Sequence, residues 1–184
     1  MLLIKKVRLS YPSLFKATGF EGQEPKFSAT FLIEKGSSVQ EQIEAEINSV
    51  AEETFGKGYA AILKKQNTSQ RQLLKDGDEK LNKDGEQADG YANMVYIKGS
   101  NKQKPKVVDR DRTELQETDG KPYGGCYVNA QIDIWPQNNK FGKFINVKLL
   151  AVQFWEDGDS FGAASVADVD AFESADVMSD DEEW

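Results

Sequence analysis

The sequence predicts a mainly β protein with one main α-helix: a small five-stranded antiparallel barrel with long loop insertions, followed by a disordered acidic tail. Three observations predict it. Residues 27–33 and 126–135 alternate apolar and polar side chains with the period of a strand. Only one stretch, residues 38–56, carries strong helical spacing. The charge also divides unevenly along the chain. The last 29 residues hold eleven carboxylates and no Lys or Arg, so of 31 acidic and 23 basic side chains the first 155 residues keep 20 and 23. The body is therefore basic by about +3, although the whole chain carries −8. We assign residues 1–155 to one folded domain and 156–184 to the tail, a size suited to a single core.

Each element follows from local chemistry. Residues 2–10 read as a strand in which Lys5, Lys6 and Arg8 stand among Leu3, Ile4, Val7 and Leu9, with Tyr11-Pro12 as its stop. Gly19, Gly22 and Pro25 mark a loop. Phe27, Ala29, Phe31 and Ile33 then share one face of a second strand. Ser38 with Glu41 forms a capping box, Val39, Ile43, Ile47 and Val50 follow at helical spacing, and Gly56 stops the helix. Its opposite face carries Glu41, Glu44, Glu46, Glu52 and Glu53, which repel a polyanion. A short second helix is expected around Tyr59–Leu63 and a short strand around Arg71–Leu74, within a polar excursion that runs to Gly90. Residues 91–98 alternate again, 99–106 form a basic loop with Lys102, Lys104 and Lys106, and Val107-Val108 is a short apolar step. The strongest β signal is the last pair. Cys126, Val128, Ala130, Ile132 and Ile134 face inward, Pro136 is expected to end the strand, and residues 143–155 return beside it. This arrangement fits a barrel of the oligonucleotide-binding (OB) type.

Composition excludes several functions. The chain has one cysteine and no histidine, so an internal disulfide, a Cys/His zinc site and any His-based triad are ruled out. No phosphate-binding GxxxxGK[ST] loop is present. Residues 76–87 resemble a calcium loop only until Lys80, Leu81 and Gln87 are found at ligand, glycine and glutamate positions. Asp109, Asp111 and Glu114 could hold Mg²⁺ in a nuclease, but Arg110 and Arg112 are interleaved among them. We expect no catalytic residue, no metal and no cofactor. No apolar run approaches the roughly 18 residues of a membrane span, and the N-terminus lacks the features of a secretory signal. A cytoplasmic location is expected.

What remains is binding chemistry. The outward face of the 126–135 strand displays Tyr127, Asn129, Gln131, Asp133 and Trp135, rings and amides suited to stacking and bonding unpaired bases. The alternative is that Tyr127 and Trp135 pack under a loop or against a second chain. Lys5, Lys6, Arg8, Lys98, Lys102, Lys104 and Lys106, with Tyr11, Tyr91 and Tyr96 interleaved, would track phosphates along a groove.

Several segments resemble a family of bacteriophage single-stranded-DNA-binding proteins: VRLSYPSLF (7–15), FSATFLIEK (27–35), DGDE (76–79), KVVD (106–109) and YGGCYVNA (123–130). The resemblance implies an OB-fold core, binding of single-stranded DNA with little sequence preference, and a role in phage DNA replication or recombination in the host cytoplasm. It also implies that the terminal Asp180, Asp181, Glu182, Glu183 and Trp184 recruit replication or recombination proteins and compete with DNA. A terminal Trp in place of Phe departs from the usual pattern and leaves the partner open. A strand-annealing or mediator protein is the alternative, and a Mg²⁺-dependent nuclease a more distant one. Whether copies of the chain assemble is not legible in the sequence.

Overall fold

The computed structural model describes residues 1–162. Its strands are β1 (Leu2–Thr18), β2 (Lys26–Glu34), β3 (Lys75–Asp76), β4 (Met94–Asn101), β5 (Lys106–Val108), β6 (Tyr127–Asn139) and β7 (Gly142–Glu156). Two helices, α1 (Ser38–Phe55) and α2 (Tyr59–Asn67), lie between β2 and β3. Five strands close an OB-like barrel. β1 pairs antiparallel with β2 and β6, β2 with β4, and β6 with β7; β4 then meets β7 in a parallel contact at Ser100 and Lys148. The seam is thus the one parallel join in the expected antiparallel barrel. The two short strands extend it, β3 along β4 and β5 along β7.

Alternation in the sequence becomes the barrel interior. Ile4, Leu9, Phe31, Ile33, Ile97, Val128, Ile132, Ile145 and Leu149 are almost wholly removed from water, and burial of such side chains is the main favourable term in folding. Cys126 is a small buried core residue as well, and burial pushes its thiol up to about 11. α1 packs against β1, β2, β6 and β7, burying Ile43 and Ala51 with Val39, Ile47 and Val50 beside them. Its cap is one residue earlier than the spacing predicts. Ser37 Oγ accepts the Gln40 N–H at 3.3 Å, while Gln40 Oε1 accepts the Gly36 N–H at 2.9 Å. Gly56, at φ +63°, ends the helix as expected.

Both expected proline stops are corrected. Tyr11 and Pro12 lie in a bulge between the Ser10 and Ser13 registers, where the missing N–H costs no ladder bond, so β1 continues to Thr18. Pro136 remains within β6 because β1 pairs with β6 only as far as Ile132, leaving 133–139 bonded to β7 alone. The β6–β7 pair therefore projects as a two-stranded ribbon with Lys140-Phe141 at its tip. Residues 71–74, expected as a strand, are irregular, and pairing starts at Lys75. The expected domain boundary after Trp155 falls inside β7, and the chain stays on the body through Phe161. Residues 163–184, including the five terminal residues named above, lie outside the described part.

Candidate nucleic-acid interface

The outer faces of β2 and β4 form the floor of a groove. Their inward positions are apolar, so the alternate positions turn outward: Lys26, Ser28 and Thr30 from β2, and Tyr96, Lys98 and Ser100 from β4. Tyr11, Phe20, Leu73, Lys75 and Lys80 supply walls around a volume of about 1010 Å³. Tyr11 owes its position to the β1 bulge, where it adopts φ +45°, an unusual conformation for a bulky residue. Its ring is 64 % exposed and sits 6.0 Å from Lys80 Nζ. Phe20, in the loop between β1 and β2, is 83 % exposed.

A second groove of about 700 Å³ continues across the β4–β7 seam, sharing Lys26, Leu73, Lys98 and Ser100 with the first. Arg71, Lys102, Trp135, Asn146 and Lys148 line its far part. The combined lining has seven basic side chains against Glu24 and Asp133. Both carboxylates already hold a cation: Glu24 pairs with Lys102 at 2.6 Å, and Asp133 with the N-terminal amine at 3.2 Å. Lys26, Lys75, Lys80, Lys98 and Lys148 have no carboxylate partner among the described residues. The groove is thus cationic, ring-bearing and open, the combination that tracks a single strand.

The structure brings Tyr11, Tyr91, Tyr96, Lys98, Lys102 and Trp135 to this surface and leaves the other predicted residues away from it. Asn129 is buried and occupied: its Oδ1 accepts the Lys6 N–H at 2.9 Å, and its Nδ2 donates to Gln153 Oε1 at 3.0 Å. It thereby holds the β1 bulge at Lys6, whose φ is +53°. Lys5, Lys6 and Gln131 are exposed on the β1–β6 face, outside both grooves. Lys104 lies 5.5 Å from the Phe15 ring, and Lys106 is on β5 beyond β7.

Arg8 is the most heavily engaged of them. Its Nε donates to Gly125 O at 2.9 Å and an Nη to Asp159 O at 2.8 Å. Its guanidinium lies 4.3 Å from the Phe161 ring and 5.9 Å from Tyr127. Residues 157–161 form a strap here, further held by the Tyr123 hydroxyl donating to Asp157 Oδ1 at 2.7 Å. Gly125, at φ +109°, is required because a Cβ there would lie 2.0 Å from Asp159 O. Phe161 joins Leu32, Ala88, Tyr91 and Tyr96 in a small outer cluster. The buried Tyr91 hydroxyl bonds Ser10 Oγ at 2.8 Å, and burial pushes its phenol up to about 12. This cluster covers one end of the β1–β2–β4 outer face and leaves the groove as the open part.

The carboxylate candidates are used in holding loops. Lys35 bridges Asp76 at 2.6 Å and Asp78, and Asp78 Oδ1 accepts the Asn93 N–H at 2.8 Å. Asp109 pairs with Lys121 at 2.8 Å, and Asp111 accepts the Thr113 N–H at 2.9 Å. Among the described residues no group of three Cys, His, Asp or Glu side chains is placed to hold a metal, and no helix is long and apolar enough to cross a membrane.

The groove residues that sequence reasoning missed are Phe20, Lys26, Arg71, Lys75, Lys80 and Lys148. The signal for several was present. In an OB barrel the second and third strands and the first loop form the usual binding face, and 26–30 shows small polar residues opposite its apolar ones.

Comparison with known proteins agrees with this fold. A family model described as the single-stranded-DNA-binding protein of Enterobacter phage Enc34 matches residues 1–183. Protein p50 of Acyrthosiphon pisum secondary endosymbiont phage 1 is 38% identical over 186 residues, covering 97% of this chain and 96% of that one. The structure of the Enc34 single-stranded-DNA-binding protein in complex with single-stranded DNA is similar at a TM-score of 0.66 and 30% identity, over 87% of this chain and 88% of that chain. The gp2.5 single-stranded-DNA-binding protein of bacteriophage T7 is similar at a TM-score of 0.52 and 15% identity, over 94% and 92% of the two chains, a likeness of fold alone.

Proposed function

The chain belongs to the family of the Enterobacter phage Enc34 single-stranded-DNA-binding protein, and from that premise we propose that it binds single-stranded DNA along the groove over β2 and β4. The observation that carries the assignment of this face is its lysines, without carboxylate partners among the described residues, beside exposed rings, with Lys98 common to both grooves. Lys26, Lys75, Lys80 and Lys98 hold phosphates, while Tyr11, Phe20 and Tyr96 stack bases, a sequence-tolerant contact because every base offers a flat face. No step of this requires catalysis, a metal or a cofactor.

The tail adds regulation in the same proposal. Its carboxylates compete with DNA for the cationic groove, and Asp180–Trp184 recruit replication or recombination proteins in the host cytoplasm. Tryptophan-monitored titration with oligo-dT at several salt concentrations tests both parts, with the full chain beside a chain ending at Gly162. That end point retains the strap on Arg8, which a cut at residue 155 would remove. Affinity should fall steeply with salt, by a log–log slope of about −0.7 for each phosphate held. The shortened chain should bind more tightly at low salt, and the difference should fade as salt rises. Salt-independent binding would refute the groove assignment. Equal or weaker binding by the shortened chain would remove the tail as competitor.

A further inference from the structure

Arg71 is presented to the second groove by a set of contacts that surface arginines seldom have. Gln66, 3 % exposed at the end of α2, imitates a strand neighbour of β7. Its Oε1 accepts the Ile145 N–H at 2.8 Å, and its Nε2 donates to Ile145 O at 2.8 Å. The same Nε2 donates to Arg71 O at 2.9 Å, which ties the chain after α2 to the barrel wall. The Arg71 guanidinium then lies 3.6 Å from the Phe144 ring centre and donates to Asn146 Oδ1 at 3.1 Å. Asn146 is itself steadied by donating to Gln137 Oε1 at 3.3 Å.

This arrangement leaves most of the guanidinium's five N–H groups without an acceptor among the described residues. No carboxylate among the described residues pairs with Arg71. Trp135, 40 % exposed, stands opposite Asn146 in the β6–β7 register and lines the same groove. A planar cation with a forked donor set, prepositioned beside an exposed indole, matches a phosphate and the base attached to it.

We propose that the groove across the β4–β7 seam is a second nucleotide subsite, in which Arg71 holds a phosphate and Trp135 stacks the adjoining base. The bound strand then leaves the β2–β4 groove past Lys98 and crosses β7 toward the β6–β7 ribbon. Gln66 acts as a positioning residue for Arg71. The inference rests on the single-stranded-DNA reading and deepens it, because it makes affinity depend on strand length through a defined pair of residues.

The test compares oligo-dT of about 5 and about 15 nucleotides, spanning the sizes one OB barrel covers, on the full chain and its Arg71→Ala, Arg71→Lys and Trp135→Phe variants. Arg71 is exposed, so its variants should fold. Arg71→Ala should weaken the longer strand about tenfold and the shorter one less than about twofold, with a salt slope shallower by about 0.7, one phosphate on a single strand. Arg71→Lys should recover only part of this, since the ammonium cannot form the fork. Trp135→Phe should abolish most of the fluorescence quenching that the longer strand produces. Equal loss for both lengths, or none for either, would overturn the subsite while leaving the β2–β4 groove intact. Failure of the unaltered chain to bind either strand would instead overturn the DNA-binding reading beneath it.

Discussion

The β1–β6 face and the β2–β4 face are both outward surfaces of one barrel, and both carry lysines and aromatic rings. On the first, the protein uses its central amide and guanidinium itself, although Lys5, Lys6 and Gln131 stay exposed. Asn129 bonds Lys6 and Gln153, while Arg8 is enclosed by Gly125, Asp159, Phe161 and Tyr127. On the second, Lys26, Lys75, Lys80 and Lys98 stand without carboxylate partners among the described residues, and Tyr11 and Phe20 project into solvent. An outward amide or ring is thus a binding group only if no neighbour has already claimed it. A polar side chain that completes buried hydrogen bonds stabilises the fold and has little left for a ligand.

Charge reversal should separate the two faces most sharply. Lys98→Glu should reduce oligo-dT affinity at low salt by about tenfold or more, because it removes one phosphate contact and adds a repulsion at the junction of both grooves. Lys5→Glu should change it by about twofold at most, through long-range potential alone. Equal losses in the two titrations would break the comparison and return the β1–β6 face to the binding site.

Asn129→Ala should give the reverse pattern. Losing its side chain leaves the Lys6 N–H unsatisfied in a partly buried site, a cost of about 1–3 kcal/mol. Thermal unfolding should register that loss while oligo-dT affinity of the folded protein stays unchanged. A loss of affinity with unchanged stability would mean that Asn129 does contact DNA.

The smallest effect concerns acid. Hydrogen bonding to Lys35 holds the carboxyls of Asp76 and Asp78 below the ordinary range, helped by the N–H groups of Asp78 and Asn93 respectively. A carboxylate with a lowered folded pKa contributes stability that is fully present above its unfolded value, about 3.9, and is lost as pH falls through the folded value. The segment 77–93, which carries Lys80 and Tyr91, should therefore loosen selectively below about pH 4. Hydrogen exchange of its amides should show this between neutral and acidic pH, and Lys35→Ala should remove most of the pH dependence. Uniform acid loosening of both faces would deny the segment its separate latch.

How much was legible in the sequence follows from the range of the interactions. The alternation of 27–33 and 126–135, the helix ending at Gly56 and the basic body were all readable, because backbone period and side-chain type are local. Tyr96, Lys98, Lys102 and Trp135, which line the grooves, were named by the same signals. Arg71 was not, since nothing near it in the chain distinguishes it from any polar loop residue. The role proposed for it rests on Phe144 and Asn146, the latter 75 positions away. Asn129 reads as a free outward amide for the matching reason, as its partner is the Lys6 backbone 123 positions earlier. Local periodicity, then, determined which way each side chain points and which face forms the core. Only tertiary contact, through the closure of β4 on β7 and the strap over Arg8, decided which outward groups were already satisfied and which remained available to bind.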